Sequence, residues 1–206
     1  ILNKDAKNSS SSVMASDLGV LPDLSGIGGL KTNSIANEIE VLKSKKMMSE
    51  VISSLSLQTN ITAKGKIRTL ELYKETSPVE VRVIGEKKDK GSVNTIQLAV
   101  NGEKLTLSGE SLKKDIVTTY GKTISLPFAN IIITKNPKFN SVEVKGLNIN
   151  NLVLQISSLE AAVNSLQGPL NVDLVNRETT VLKLGYQYPQ ISKAKDIINS
   201  LVIAYN

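Results

Sequence analysis

Apolar residues recur along this chain in two rhythms. Over residues 32–55, Ile35, Ile39 and Leu42 fall at spacings of four and three, and Met48, Val51, Ile52 and Leu55 continue the face beyond Ser44. Glu38, Glu40, Lys43, Lys45, Lys46 and Glu50 occupy much of the remainder. This predicts an amphipathic helix, either continuous or broken near Lys43-Ser44. Over residues 61–135 the period becomes two. Ile67, Thr69, Glu71 and Tyr73 alternate with Arg68, Leu70 and Leu72; Val79, Val81 and Val83 alternate with Glu80 and Arg82; Ile96, Leu98 and Val100 alternate with Gln97 and Ala99. Asn101-Gly102 marks a hairpin before Leu105-Thr106-Leu107. Strands are also predicted at Val117-Thr118-Thr119-Tyr120, Thr123-Ile124-Ser125 and Ile131-Ile132-Ile133-Thr134.

The last third is mixed. Residues 152–156 read as a strand. Residues 158–166 read as a short helix with Ser158 as its cap and Ala161 as a core contact, ended by Gly168-Pro169. Strands are expected over 170–175 and 180–186, joined through Asn176-Arg177-Glu178. Pro189 then opens a final helix whose buried stripe is Ile191, Ala194, Ile198, Leu201 and Tyr205. The first 31 residues are Ser/Gly-rich and read as a short strand at residues 1–4 followed by a loop. Ser25-Gly26-Ile27-Gly28-Gly29 lacks the lysine-serine pair of a phosphate-binding loop.

Composition narrows the chemistry. The chain has 206 residues, with no Cys, His or Trp, five Tyr and two Phe. No disulfide, thiolate nucleophile, cysteine- or histidine-ligated zinc site or histidine general base can form within it. Its core must be built from Ile, Leu and Val. Of 25 basic residues only three are Arg (Arg68, Arg82, Arg177), and 19 acids leave a net charge of +6. Nucleic-acid readers lean on Arg and on stacking aromatics, and both are scarce here. Glu86-Lys87-Lys88-Asp89-Lys90-Gly91 reads as a solvated loop because acids interrupt it. No segment reaches the ~20 apolar residues of a membrane helix. With no initiator Met and a helical pattern running to Asn206, both ends are expected to be cut from a longer protein.

Candidate acid pairs are poor. Glu38 and Glu40 face different sides of a helix, and Glu71 and Glu75 on a strand would stand about 13 Å apart at roughly 3.3 Å per residue. All four are expected to be solvated charges. Asn8-Ser9-Ser10 and Asn60-Ile61-Thr62 match glycosylation acceptors only by spacing. No catalytic, cofactor-binding or metal-ligating residue is assigned, and no cofactor is expected.

Four segments carry a resemblance. Asn37-Glu38-Ile39-Glu40-Val41-Leu42-Lys43-Ser44, with Val51 and Leu55-Ser56-Leu57 after it, resembles the early periplasmic helix of bacterial polysaccharide co-polymerases, the Wzz-type chain-length determinant proteins. Glu71-Leu72-Tyr73-Lys74-Glu75-Thr76-Ser77-Pro78 resembles the strand that opens the β-rich insert of their branch fused to tyrosine autokinases. Tyr120-Gly121-Lys122-Thr123-Ile124 through Ile133 resembles its later hairpin, and Tyr188-Pro189-Gln190-Ile191-Ser192-Lys193-Ala194-Lys195-Asp196 through Tyr205 resembles the helix closing the membrane-proximal base.

The resemblance implies a periplasmic segment of a parent anchored in the inner membrane. It implies ring-like self-association beside a polysaccharide polymerase or export machinery. It also implies control of O-antigen, capsule or exopolysaccharide length by assembly and not catalysis, with at most a weak glycan contact and no nucleic acid. A cytoplasmic tyrosine kinase in the parent is compatible with it. The alternative is an extracytoplasmic carbohydrate-binding or adhesin-like β module, for which Tyr73, Tyr120, Tyr186, Tyr188 and Tyr205 are the available stacking rings. The expected fold class is α+β. Residues 1–60 and 136–206 form an α/β base of helices and mixed strands, and residues 61–135 an inserted antiparallel β-rich subdomain. Helices from the two ends of the chain are expected to share one core.

Overall fold

The structure, a computed structural model, describes residues 27–87, 92–176 and 181–206, with side chains from Ile35 onward. The expected strand at residues 1–4, most of the Lys-rich run and most of the 176–178 connection lie outside the described residues. The chain divides into two units, Ile1–Val41 and Leu42–Asn206. The first contains nearly all of helix α1 (Ile27–Leu42). This helix starts earlier than the polar pattern predicts, taking in Gly28 and Gly29. Glycines in a first turn forfeit less than glycines in a helix interior, because those N–H groups have no intrahelical partner.

The second unit is α+β, with antiparallel pairing throughout its described sheets. Helix α2 (Lys45–Leu55) follows a break at Lys43-Ser44, one of the two alternatives the apolar pattern allows. Ser44 is its N-cap and accepts the Met47 N–H at 3.3 Å. Strands β1 (Thr59–Gly65), β2 (Thr69–Leu72), β4 (Val93–Asn101), β5 (Lys104–Ser108), β6 (Ile116–Thr119) and β9 (Leu147–Ser157) form one six-stranded sheet in the order β2-β1-β9-β4-β5-β6. Strands β3 (Val79–Glu86), β7 (Thr123–Ser125) and β8 (Ala129–Lys135) form a second sheet in the order β3-β8-β7. Their inward residues make one core: Ile61, Leu72, Ile96, Leu98, Leu152 and Leu154 meet Val79, Val81, Ile124, Ile131 and Ile133. The period of two arises because each strand buries one face only.

The β4–β5 hairpin turns on Gly102-Glu103, with Asn101 paired to Lys104. Gly102 has φ +60°, so it takes the first turn position that requires glycine, and Asn101 ends the strand. Gly65 is fixed by space: a Cβ there would stand 2.9 Å from Leu147 Cδ2 and 3.0 Å from the Arg68 carbonyl. The turn that follows places Ile67 in water at 98% exposure, not in the predicted strand.

The remaining elements form a second, helical core. Helix α3 (Leu159–Gln167) is capped by Ser158, as expected, and buries Ala162, Val163 and Leu166, with Ala161 only half-buried. Strands β10 (Leu170–Leu174) and β11 (Leu182–Tyr186) pair with each other. Helix α4 (Ile191–Tyr205) packs against α2 and β11, and α2 also packs against α3. Helices from opposite ends of this unit thus share a core built on Met48, Val51, Ile52, Ile197 and Leu201.

Three expectations are corrected here. Residues 152–156, expected in the base, belong to β9, which lies between β1 and β4 within the six-stranded sheet. The buried stripe of α4 is Lys193, Ile197 and Leu201, while Ile191 and Tyr205 are exposed. Pro189 precedes the cap, because the Gln190 side chain accepts the Ser192 N–H at 2.8 Å and serves as N-cap itself.

Leu42 and Leu201 are both almost fully buried. Leu42→Asp or Leu201→Asp should each cost more than about 4 kcal/mol by burying an unpaired charge. Loss of the cooperative melt by circular dichroism is the expected result. Two variants that melt like the parent would refute this packing.

Candidate functional site

The densest polar constellation lies where α4 meets β2. Lys193 is buried, with 3% of its surface exposed. Its Nζ lies 2.7 Å from Glu71 Oε1 and 3.2 Å from the Tyr188 hydroxyl, which itself donates to Glu71 Oε1 at 3.2 Å. The Nζ also stands 5.1 Å from the Tyr188 ring centroid and 6.0 Å from that of Tyr73. One turn along α4, Asp196 accepts the Tyr73 hydroxyl at 2.8 Å and pairs with Lys74 at 2.5 Å. Two cations, two carboxylates and two phenols thereby tie α4 to the β2 strand and the connection after it.

That connection is built locally. A single 3-10 turn, Lys74–Thr76, follows β2, and Thr76 Oγ1 bonds both the N–H and the carbonyl of Tyr73. Buried Asn136, at the end of β8, donates from Nδ2 to the carbonyls of Lys74 at 2.7 Å and Ser77 at 2.8 Å. Nothing in the local pattern marks Asn136 as important, since its partners lie 62 and 59 residues away.

Beside this network opens a cleft of about 260 Å³. The turn after α2, the first residues of β1, the 3-10 turn and β3 line it. Ser56 (φ 54°) and Lys74 (φ 49°) both border it, and they are the only non-glycine residues with positive φ among those described. Such backbone costs about 1–3 kcal/mol per residue and gathers at sites that need a fixed shape. Ser56 occupies the left-handed position that ends α2, where its N–H reaches the Ile52 and Ser53 carbonyls. Asn60, on the cleft wall, holds its Oδ1 buried with no hydrogen-bond partner. An unsatisfied acceptor of this kind costs about 1–3 kcal/mol.

The sequence expectations distribute unevenly. Glu38 is half-buried and Glu40 exposed on α1. Glu71 is not a solvated charge, because Lys193 and Tyr188 both bond it. Glu75 is exposed on the 3-10 turn and not on a strand. Of the five candidate stacking rings, Tyr73 and Tyr188 spend their hydroxyls on Asp196 and Glu71, and Tyr186 donates to the Leu166 carbonyl at 2.8 Å. Tyr120 lies under Lys135, with its centroid 5.2 Å from the ammonium, and Tyr205 is exposed. Among the described residues no group of three or more acidic side chains is placed to hold a metal ion, and no helix is long and apolar enough to cross a membrane.

Burial pushes the Tyr186 phenol up to about 12. Tyr73 and Tyr188 rise in the same direction, first from burial, with the neighbouring carboxylates adding to it. A scan of the sequence against protein-family models finds no match, and a search of curated proteins finds none either.

Removing one partner of a buried ion pair leaves the other uncompensated, at about 3–5 kcal/mol. Glu71→Ala should therefore destabilise strongly. Glu71→Ala combined with Lys193→Met should recover much of that loss in urea denaturation. An additive double variant would show that the pair is not coupled.

The raised phenols also set a pH dependence. Their neutral forms are favoured in the fold, so the stability they contribute is fully present below their unfolded value of about 10. It is lost as pH climbs from there through about 12 for Tyr186. The denaturation midpoint of Tyr186→Phe should fall less steeply over that interval than that of the parent chain.

Proposed function

We propose that this chain is the periplasmic segment of an inner-membrane polysaccharide chain-length regulator, acting by oligomeric assembly beside a polymerase or export machinery and not by catalysis. One observation carries the reading. Two of the segments that resemble the chain-length determinants, residues 71–78 and 188–205, are joined side chain to side chain. Glu71 meets Tyr188 and Lys193, while Tyr73 and Lys74 meet Asp196. Residues that look unrelated along the sequence are thus parts of one structural joint.

Two further features support it. The other resembling segments supply packing and caps: Leu42, Val51 and Leu57 are buried, Ser44 caps α2, and Ile124, Ile131 and Ile133 lie in the sandwich core. A regulator that works by position needs such a scaffold, and the chain carries no His or Cys for covalent or acid–base work. An adhesin-like module would present free aromatic faces to sugars, whereas three of the five Tyr anchor the fold through their hydroxyls.

The reading is tested in the organism that encodes the chain. Deleting the gene should replace a modal length of surface polysaccharide with a broad, shorter distribution on gels, restored by the full reading frame. That frame should encode an apolar span of about 20 residues before Ile1 and another after Asn206. An unchanged length distribution on deletion would sink the reading.

A further inference from the structure

The six-stranded sheet gathers positive charge at one end. Its registers set the end of β1, the start of β9, the end of β4 and the start of β5 side by side, and β6 finishes beside Lys104. Six exposed cations lie on these strand ends and the connections next to them: Lys64, Lys66, Arg68, Lys104, Lys122 and Lys145. None of the six forms an ion pair among the described residues. Two acids share the same connections. Glu103 is already paired with Lys135, which leaves Glu143 alone against the six. The opposite end of the sheet is balanced, because Glu110 and Asp115 offset Lys113 and Lys114 in the β5–β6 connection. Lys104 stands three strand spacings from Lys64, roughly 14 Å across the sheet. Charge spread this widely matches an extended anionic surface better than a single small anion.

The β1–β2 turn adds an apolar point to this end. The Gly65 N–H donates to the Arg68 carbonyl at 2.9 Å, so Lys66 and Ile67 alone make the apex. Ile67 projects there with 98% of its surface exposed. Tight turns favour Gly, Asn, Asp, Ser and Pro, and a branched apolar side chain has no local use in one. An exposed isoleucine by itself is ordinary. Its place between two cations is what distinguishes this one. Nucleic acid is poorly matched, since Arg68 is the only arginine of the six and no free aromatic ring stands here to stack on a base. A soluble anionic polymer would use the cations and leave Ile67 in water. A lipid surface uses both: the aliphatic tip enters the boundary beneath the headgroups, and flanking Lys and Arg side chains keep their charges at phosphate level.

We propose that this end of the sheet docks on an anionic lipid bilayer, with Ile67 inserted and the six cations paired with headgroup phosphates. The proposal goes beyond the chain-length reading and does not rest on it.

The test is co-sedimentation of the full chain with phosphatidylcholine vesicles, with and without about 30% phosphatidylglycerol. Saturable binding is expected to the anionic vesicles alone, released by about 500 mM salt. Lys66→Gln combined with Arg68→Gln should weaken it about 25-fold, at roughly fivefold per cation near such a surface. Ile67→Ser should weaken it about tenfold. All three positions are exposed, so the parent melting temperature should be kept. The chain has no Trp, so Ile67→Trp places a single reporter at the apex, and its emission should shift to the blue on anionic vesicles. Lys113→Gln combined with Lys114→Gln, at the balanced end, should leave binding unchanged. No binding to the anionic vesicles overturns the proposal. So does an equal loss from the Lys113 and Lys114 pair, which would mark net charge alone. An unshifted Trp emission beside tight binding to dextran sulfate would mark a site for a soluble polyanion and overturn the lipid assignment.

Discussion

Lys193 sets the condition that the helical half of the fold has to meet. A charged ammonium with almost no contact with water must be paired and fully hydrogen-bonded, or it destabilises the state that buries it. Glu71 and Tyr188 satisfy two of its three donors. Because Glu71 sits on β2, the rotation of α4 about its own axis is fixed by a strand of the sandwich. That rotation turns Ile197 and Leu201, one and two turns further on, toward α2. Helix α2 then packs on α3, whose first N–H is held by the Glu86 carboxylate at the end of β3 at 2.6 Å. Carboxylates from the sandwich, Glu71 and Glu86, grip the helical layer at two points, and Asp196 of α4 grips back through Tyr73 and Lys74.

Much of this was legible because it is local. Alternation places the sandwich strands, since each must show one face to a core and the other to water. The cap at Ser158 and the break near Ser44 were legible because a hydroxyl before an apolar run has a direct use there. What stayed hidden depends on distant partners. Periodicity counts a lysine as polar, so it omits Lys193 from the α4 stripe and includes Ile191. Its partner Glu71 lies 122 residues away and looked like an ordinary strand carboxylate facing water. Asn136 and the placement of β9 beside both β1 and β4 are of the same kind. The cleft needs the turn after α2, the first residues of β1, the 3-10 turn and β3 to converge, and no local pattern announces that.

The absence of Cys, His and Trp acquires a different weight beside these contacts. It removes whole classes of chemistry, but it does not make the protein chemically empty. The groups that remain (lysines, carboxylates, phenols and amides) are used first to lock one helix to one sheet. Those at the locked joint cannot be changed without disturbing the fold, so a loss of function there would not separate a binding role from a structural one.

Arg82 and Glu80 on β3 and Asn60 on β1 stand outside that lock. Two of them are exposed, and the third has an acceptor that the fold leaves unsatisfied. Among the described residues the fold spends its other buried polar side chains on its own contacts, which divides its residues into two sets. One set holds the shape, and the other can be changed without breaking those contacts. Substitutions in the first set therefore report on the stability of the scaffold, and substitutions in the second leave that stability in place.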